Sequence, residues 1–245
     1  MVGKIAVEAV EEKRQRLDEL SKFIWNHPEA GFKEYKAQEK VVELLKEEGF
    51  QVETGVGGVP TAIKAVFGSG HPVIGFMGEF DALPGLSQRV SSTKETIEGQ
   101  PYGHGCGHNL LCTAHVGGAI GLKEEMIKRN LPGTIALFMC PGEELLTGKP
   151  LMARGGAFEG IDVAVNFHPN KINEATTGVS TAVNSMKFHF HGKTSHAANA
   201  PENGRSALDA VELTNVGANY LREHVPSDVR IHYTITNGGV VPNIV

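Results

Sequence analysis

The sequence predicts an α/β fold: a mostly parallel sheet flanked by helices, followed by part of a smaller α+β unit. Three observations carry that expectation. The runs "PVIGFMGEF" and "GTIALFMC" are continuous, apolar and of strand length, as expected of strands buried on both faces. Such runs alternate with helical stretches, the arrangement that builds a sheet covered by helices. Near Thr177 the continuous runs give way to alternating ones, the pattern of a strand with one face in solvent. The predicted division is therefore residues 1–177 and 178–245.

The elements follow in order. Residues 6–25 read as an amphipathic helix, with Val10, Leu17, Leu20, Phe23 and Ile24 on one face. Pro28 stops it, because the residue before a proline disfavours helical geometry. "KAQEKVVELLKEEGF" is a second helix with its stripe at Ala37, Val41, Leu44 and Leu45 and with Gly49 as its stop. "TAIKAVFG", the turn "GSGH" and "PVIGFMGEF" give two strands. "TAHVGGAIGLKEEMIKR" is a small-residue-rich helix, "GTIALFMC" a strand, "KPLMARGGAF" a short helix and "DVAVNFH" a strand. In the second unit, "STAVNSMKFHFHGKTS" alternates Met186, Phe188 and Phe190 against Lys187, His189 and His191. A helix over "SALDAVELTNVGANYLREH" and an alternating strand "VRIHYTIT" follow.

Bulk properties exclude several functions. The net charge of −5 offers no long-range attraction to nucleic acid or to an acidic membrane. No apolar run approaches the roughly 18 residues that span a bilayer. The charged N-terminus lacks the apolar segment of a signal peptide. Three cysteines, an odd number, argue against a disulfide framework and for reduced thiols in a cytoplasmic protein.

Histidine is the informative residue type, with 11 in the chain. "HGCGH" interleaves Cys106 and His108 with glycines that free the backbone, and thiolate and imidazole are common metal ligands. A structural zinc clip needs four protein ligands, and the second close pair such a clip uses has no counterpart here. A cysteine nucleophile with His104 or His108 as its base is another reading. The third reading is a catalytic metal site assembled from several segments. Glu143 and Glu144 leave the strand "GTIALFMC", and adjacent residues there point in different directions. One can bind metal while its neighbour faces the attacking water. His168 closes "DVAVNFH", and Glu79 and Asp81 follow "PVIGFMG". Ligands at the carboxyl ends of several strands are how α/β sheets build active sites. The mixed donors suit zinc, manganese, cobalt or nickel, and two ions fit them better than one. The reaction class is metal-assisted hydrolysis of an amide.

"HGCGHN", "PGEE", "NFHP", "GEFDALPG", "GKTSHAANAPENGRSALDAV" and the amino-terminal "NHPEAGFKEYKA" together resemble the co-catalytic metallopeptidase family of aminoacylases and carboxypeptidases. Within it they resemble the amidohydrolase branch of aminobenzoyl-glutamate hydrolases and β-alanyl-lysine-type dipeptidases. The resemblance implies a zinc-peptidase-like catalytic domain and a lid that mediates homodimerisation. It implies two divalent ions, zinc or manganese before cobalt or nickel, bridged by Cys106 and ligated by His108, Glu144 and His168. Glu143 is then the general base and acid on a metal-bridging water. Asp81 orients a ligand from behind, and Glu79 is not counted among the ligands. His196, reaching into a partner's site, stabilises the oxyanion, and Asn243 helps bind substrate. The substrate is an N-acyl amino acid or dipeptide with a carboxylate.

The resemblance also implies a continuation past Val245 that completes the lid and supplies a further histidine ligand. The 1–245 chain alone is therefore expected to bind metal weakly and hydrolyse little. The alternatives are a non-catalytic relative that keeps only association through the lid, and a thiol hydrolase using Cys106. His104 has no derived role in this reading, and Cys112 and His115 are assigned to packing.

Overall fold

The computed structural model describes residues 3–175 and 181–244. Two compact units divide the chain, Met1–Glu174 and Ala175–Val245. The boundary expected at 177/178 lies outside the described residues.

In the first unit the expected N-terminal helix is two helices, α1 (Lys4–Glu12) and α2 (Arg14–Asn26), separated at Lys13. Helix α3 (Tyr35–Glu47) buries the anticipated stripe of Ala37, Val41, Leu44 and Leu45. A short strand β1 (Gln51–Thr54) follows that no apolar pattern announces; it is polar and largely exposed. Then come β2 (Ile63–Ser69), β3 (Val73–Gly78), and two-residue strands β4 (Leu83–Pro84) and β5 (Tyr102–Gly103) that pair with each other. Helix α4 (His108–Arg129), strand β6 (Gly133–Met139), helix α5 (Gly148–Arg154) and strand β7 (Val163–Val165) complete the unit.

The main sheet has the order β1-β2-β6-β3-β7. It is mixed rather than mostly parallel. β3 lies parallel to β6 and β7, while β2 runs antiparallel to β6 and β1 antiparallel to β2. The apolar runs of β2 and β3 report burial, and burial does not encode direction. In the parallel half, the carboxyl ends of β3, β6 and β7 share one edge.

β6 shows why its sequence is continuously apolar. Ile135, Leu137 and Met139 enter one core, with α2, α3 and α4; Ala136, Phe138 and Cys140 enter the other, with Met152 of α5. α4 lies between the sheet and α1. A Cβ on Gly121 would sit 3.0 Å from the carbonyl of Ala6, so glycine there permits the close approach of α1. The helix begins at His108, five residues before the expected Thr113, with Gly107 in the left-handed region (φ 80°) as its N-cap. The seven residues of "YGHGCGH" thus end inside a helix.

In the second unit, helix α6 (Ala207–Leu221) starts where expected, capped by Ser206 Oγ accepting from Asp209 N at 3.0 Å. The alternating stretches 181–190 and 229–236 form no ladder among the described residues, contrary to expectation. Met186 and Phe188 are exposed. Alternation specifies a face for burial, not a partner, and a strand without a neighbour leaves its backbone groups to water. The pairings present there are two isolated bridges, Lys193 with Arg205 and His196 with Ile244.

Candidate metal centre

Four segments bring the donors together. Glu79 and Asp81 follow β3, Cys106 and His108 open α4, Glu143 and Glu144 form a 3₁₀ turn after β6, and His168 follows β7. His108 is the hub and is fully buried. Its Nδ1 lies 2.9 Å from the Asp81 carbonyl and 3.1 Å from Asp81 Oδ1. Both are acceptors, so Nδ1 carries the proton and the lone pair of Nε2 faces the site. Around Nε2 stand Glu79 Oε2 at 3.3 Å, Glu143 Oε2 at 3.6 Å and Glu144 Oε1 at 3.7 Å. On the other side, Cys106 Sγ and His168 Nε2 are 3.2 Å apart. Two overlapping groups of donors result, Cys106/His108/His168 and Glu79/His108/Glu143, sharing His108.

Asp81 holds the His108 ring from behind, and it does more. Its second oxygen accepts the backbone N–H of Glu144 at 2.9 Å. One carboxylate therefore sets both the His108 ring and the turn that carries Glu144.

The electrostatics are those of a site built for positive charge. Burial alone would lower the pKa of His108, but the Asp81 hydrogen bond and the charges of Asp81, Glu79 and Glu144 prevail and raise it. The carboxyl of Glu144 is raised by burial, with His108 opposing and Glu143 and Asp81 reinforcing. The thiol of Cys106 is pushed up to about 11 by burial and by the charges of Glu144, Glu143 and Glu79.

Glu79 Oε2, His108 Nε2 and Glu144 Oε1 are buried without a hydrogen-bond partner. Buried polar atoms are normally paired, so three at one point call for a ligand that accepts lone pairs. A divalent cation does that, and thiolate, imidazole and carboxylate donors suit a transition metal or zinc. The residues present fit such an ion.

Two residues near the donors carry no signal in the sequence. Lys149 of α5 donates to Glu79 Oε1, neutralising an otherwise uncompensated buried carboxylate. Nothing in its spacing from Glu79 marks the contact. His115, expected to pack, has Nδ1 against the Leu111 carbonyl at 2.8 Å, and its Nε2 accepts the N–H of Phe167, next to His168, at 3.2 Å. Cys112 is a core residue as expected.

His104 is buried, with Nε2 at 3.1 Å from the Ile24 carbonyl. Burial drives its pKa down from 6.5 to about 4, against the raising effect of that bond. A depressed histidine pKa means that the unfolded chain takes up the proton first. The contribution of His104 to stability is then flat above pH 6.5 and falls by up to roughly 1.4 kcal/mol per pH unit toward pH 4. Urea unfolding of the wild type and His104→Asn at several pH values checks this; the decline in that window is expected to be shallower in the variant, with the part due to buried His115 remaining.

In the second unit His196 and Asn243 come to one place. His196 bridges to Ile244, and Ala197 N donates to the Asn243 carbonyl at 3.3 Å. Both side chains are exposed.

The mixed sheet, with donor side chains gathered at its parallel edge, defines an α/β protein with a candidate metal centre. One subunit of the p-aminobenzoyl-glutamate hydrolase of Escherichia coli is 42% identical over 240 residues, 97% of this chain and 50% of that protein. The Xaa-Arg dipeptidase of Mus musculus is 33% identical over 98% of this chain and 54% of its own length. The crystal structure of a Bacillus subtilis dinuclear metal-binding peptidase of the M20 family aligns with a TM-score of 0.56 at 23% identity, over 65% of this chain and 44% of that one. No model of a known protein family matches the chain. The chain is a homologue, over nearly its whole length, of these aminobenzoyl-glutamate hydrolase and dipeptidase sequences. It spans about half the length of the curated relatives it matches. Among the described residues, no helix is long and apolar enough to cross a membrane.

Proposed function

We propose that this chain is the metal-binding part of an enzyme that hydrolyses the amide bond of an N-acyl amino acid or dipeptide. The observation that carries the proposal is the convergence of unpartnered Glu79 Oε2, His108 Nε2 and Glu144 Oε1, with Cys106 and His168 beside them. Cys106, His108, Glu144 and His168 would hold two divalent ions, zinc or manganese. When bound, such ions polarise a carbonyl and acidify a water. The chain's own residues do the rest. Asp81 holds the His108 Nδ1–H and so presents the Nε2 lone pair. Glu143, half-buried on the turn after β6, takes the water's proton and passes it to the leaving amine. Lys149 balances the charge of Glu79.

The unit Met1–Glu174 is then the catalytic domain and Ala175–Val245 belongs to a lid through which the cytoplasmic protein forms a homodimer. There His196 would steady the oxyanion and Asn243 would contact the substrate; their proximity within that unit supports the pairing. The substrate carries a carboxylate on its leaving group, as in p-aminobenzoyl-glutamate or a dipeptide. The thiol-hydrolase reading is disfavoured, because reactive thiols lie in electropositive surroundings that lower their pKa, while Cys106 stands among carboxylates.

The test is hydrolysis of p-aminobenzoyl-glutamate and of a dipeptide set by the full-length protein. Turnover is expected to vanish on chelation and to return with zinc or manganese. Turnover that survives complete metal removal would exclude the proposal.

A further inference from the structure

The motif "NHPEAGFKEYKA" supplies no donor to the site, yet the segment that includes it touches three of the four site-bearing loops. The Ile24 carbonyl faces His104 Nε2 at 3.1 Å, and the Glu29 carbonyl accepts the N–H of Ala82 at 2.8 Å. The third contact is made by a side chain. Glu34 is completely buried. Its Oε1 accepts the N–H of Gly142 and the N–H of Phe32, both at 2.9 Å, and its Oε2 accepts the hydroxyl of Thr61 at 2.7 Å. All three donors are neutral. A buried carboxylate held by neutral donors persists only when each bond is well made.

Gly142 is the residue immediately before Glu143. It lies in the left-handed region (φ 64°), and a Cβ there would fall 2.6 Å from the Phe32 ring. A Cβ on Gly31 would in turn lie 2.9 Å from Gly142 Cα. Residues 31–34 are therefore moulded against the turn from which Glu143 and Glu144 project.

We propose that Glu34 is a positioning residue for Glu143 and Glu144: by accepting the Gly142 N–H it fixes the turn from which both side chains reach the metal centre. The inference rests on the reading of those two residues as base and ligand.

Cobalt titration of the 245-residue chain, read from the visible bands of the bound ion, and amide hydrogen exchange at Gly142 test it together. Glu34→Ala is expected to weaken cobalt binding about tenfold, in the range seen when partners of metal ligands are removed. It should also speed exchange of the Gly142 amide at least tenfold. Glu34→Gln is expected to restore both, because its amide oxygen can accept the two N–H groups while the Thr61 hydroxyl turns to accept from the amide nitrogen. Val41→Ala, a buried change in α3, should lower Tm and alter neither readout. If Glu34→Ala does not fold, Glu34→Asp, one methylene shorter, is expected to show the same two losses.

Wild-type cobalt affinity and wild-type Gly142 protection in the Ala or Asp variant would overturn the proposal. So would equal losses in Val41→Ala, which would mark general destabilisation. If the wild-type chain takes up no cobalt, Gly142 exchange alone decides: acceleration confined to the Glu34 variants supports the role, and unchanged protection overturns it.

Discussion

Replacing Glu143 by Gln in the full-length protein is expected to lower turnover about 10²- to 10⁴-fold, the usual worth of a positioned proton carrier. Bound metal should stay at the wild-type level. The amide is nearly isosteric with the carboxylate but cannot accept a proton at neutral pH. The companion Glu144→Gln should behave differently, losing metal first and turnover in consequence. The two side chains are neighbours on one turn, and their nearest oxygens lie at similar distances from His108 Nε2, 3.6 Å and 3.7 Å. Their environments separate them: Glu144 has its backbone fixed by Asp81 and a buried, unpartnered oxygen. Steady-state kinetics beside metal analysis tells the pair apart. Metal loss in Glu143→Gln with metal retained in Glu144→Gln would exchange their roles.

The second large effect is at Cys106. Cys106→Ser is expected to weaken metal binding by more than about a hundredfold, beyond the cost of losing a residue that merely orients a ligand. Cys106→Asp should keep binding within roughly tenfold, since carboxylates also serve these ions. A nucleophile would give the opposite pattern, with turnover lost in both variants and metal retained. The pH dependence adds a check. A thiol pushed up to about 11 is protonated at neutral pH, so metal must displace its proton. Wild-type affinity should therefore rise by up to about tenfold per pH unit from this group below pH 11. In Cys106→Asp that contribution should disappear near neutrality. Calorimetry in buffers of different ionisation enthalpy counts the released proton.

Much of the fold is readable in the chain because burial and chemistry write local patterns. β6 must be apolar at every position to fill two cores, so "GTIALFMC" announces itself. The donors sit where strands stop, and the stops are marked by a change from apolar to acidic residues or histidine. What stays hidden depends on pairing in space. The direction of β2, the Lys149–Glu79 contact and the His115–Phe167 bond join positions remote in sequence, and no local periodicity records them. The start of α4 is hidden for a different reason. Glycine-rich sequence reads as loop, but here Gly107 is the cap that lets the helix begin at His108 itself. In the second unit, alternation predicts strands for which the described residues offer no ladder partner.

Asp81 ties two distant elements together. One of its oxygens serves a ring on α4 and the other a backbone amide beyond β6. Effects at His108 and in the 143–145 turn should thus be thermodynamically coupled through it, and single-variant energies there will not add. A double-mutant cycle between His108→Ala and Glu144→Gln, run with Asp81 present and again with Asn in its place, would measure how much of the interaction energy that one carboxylate transmits.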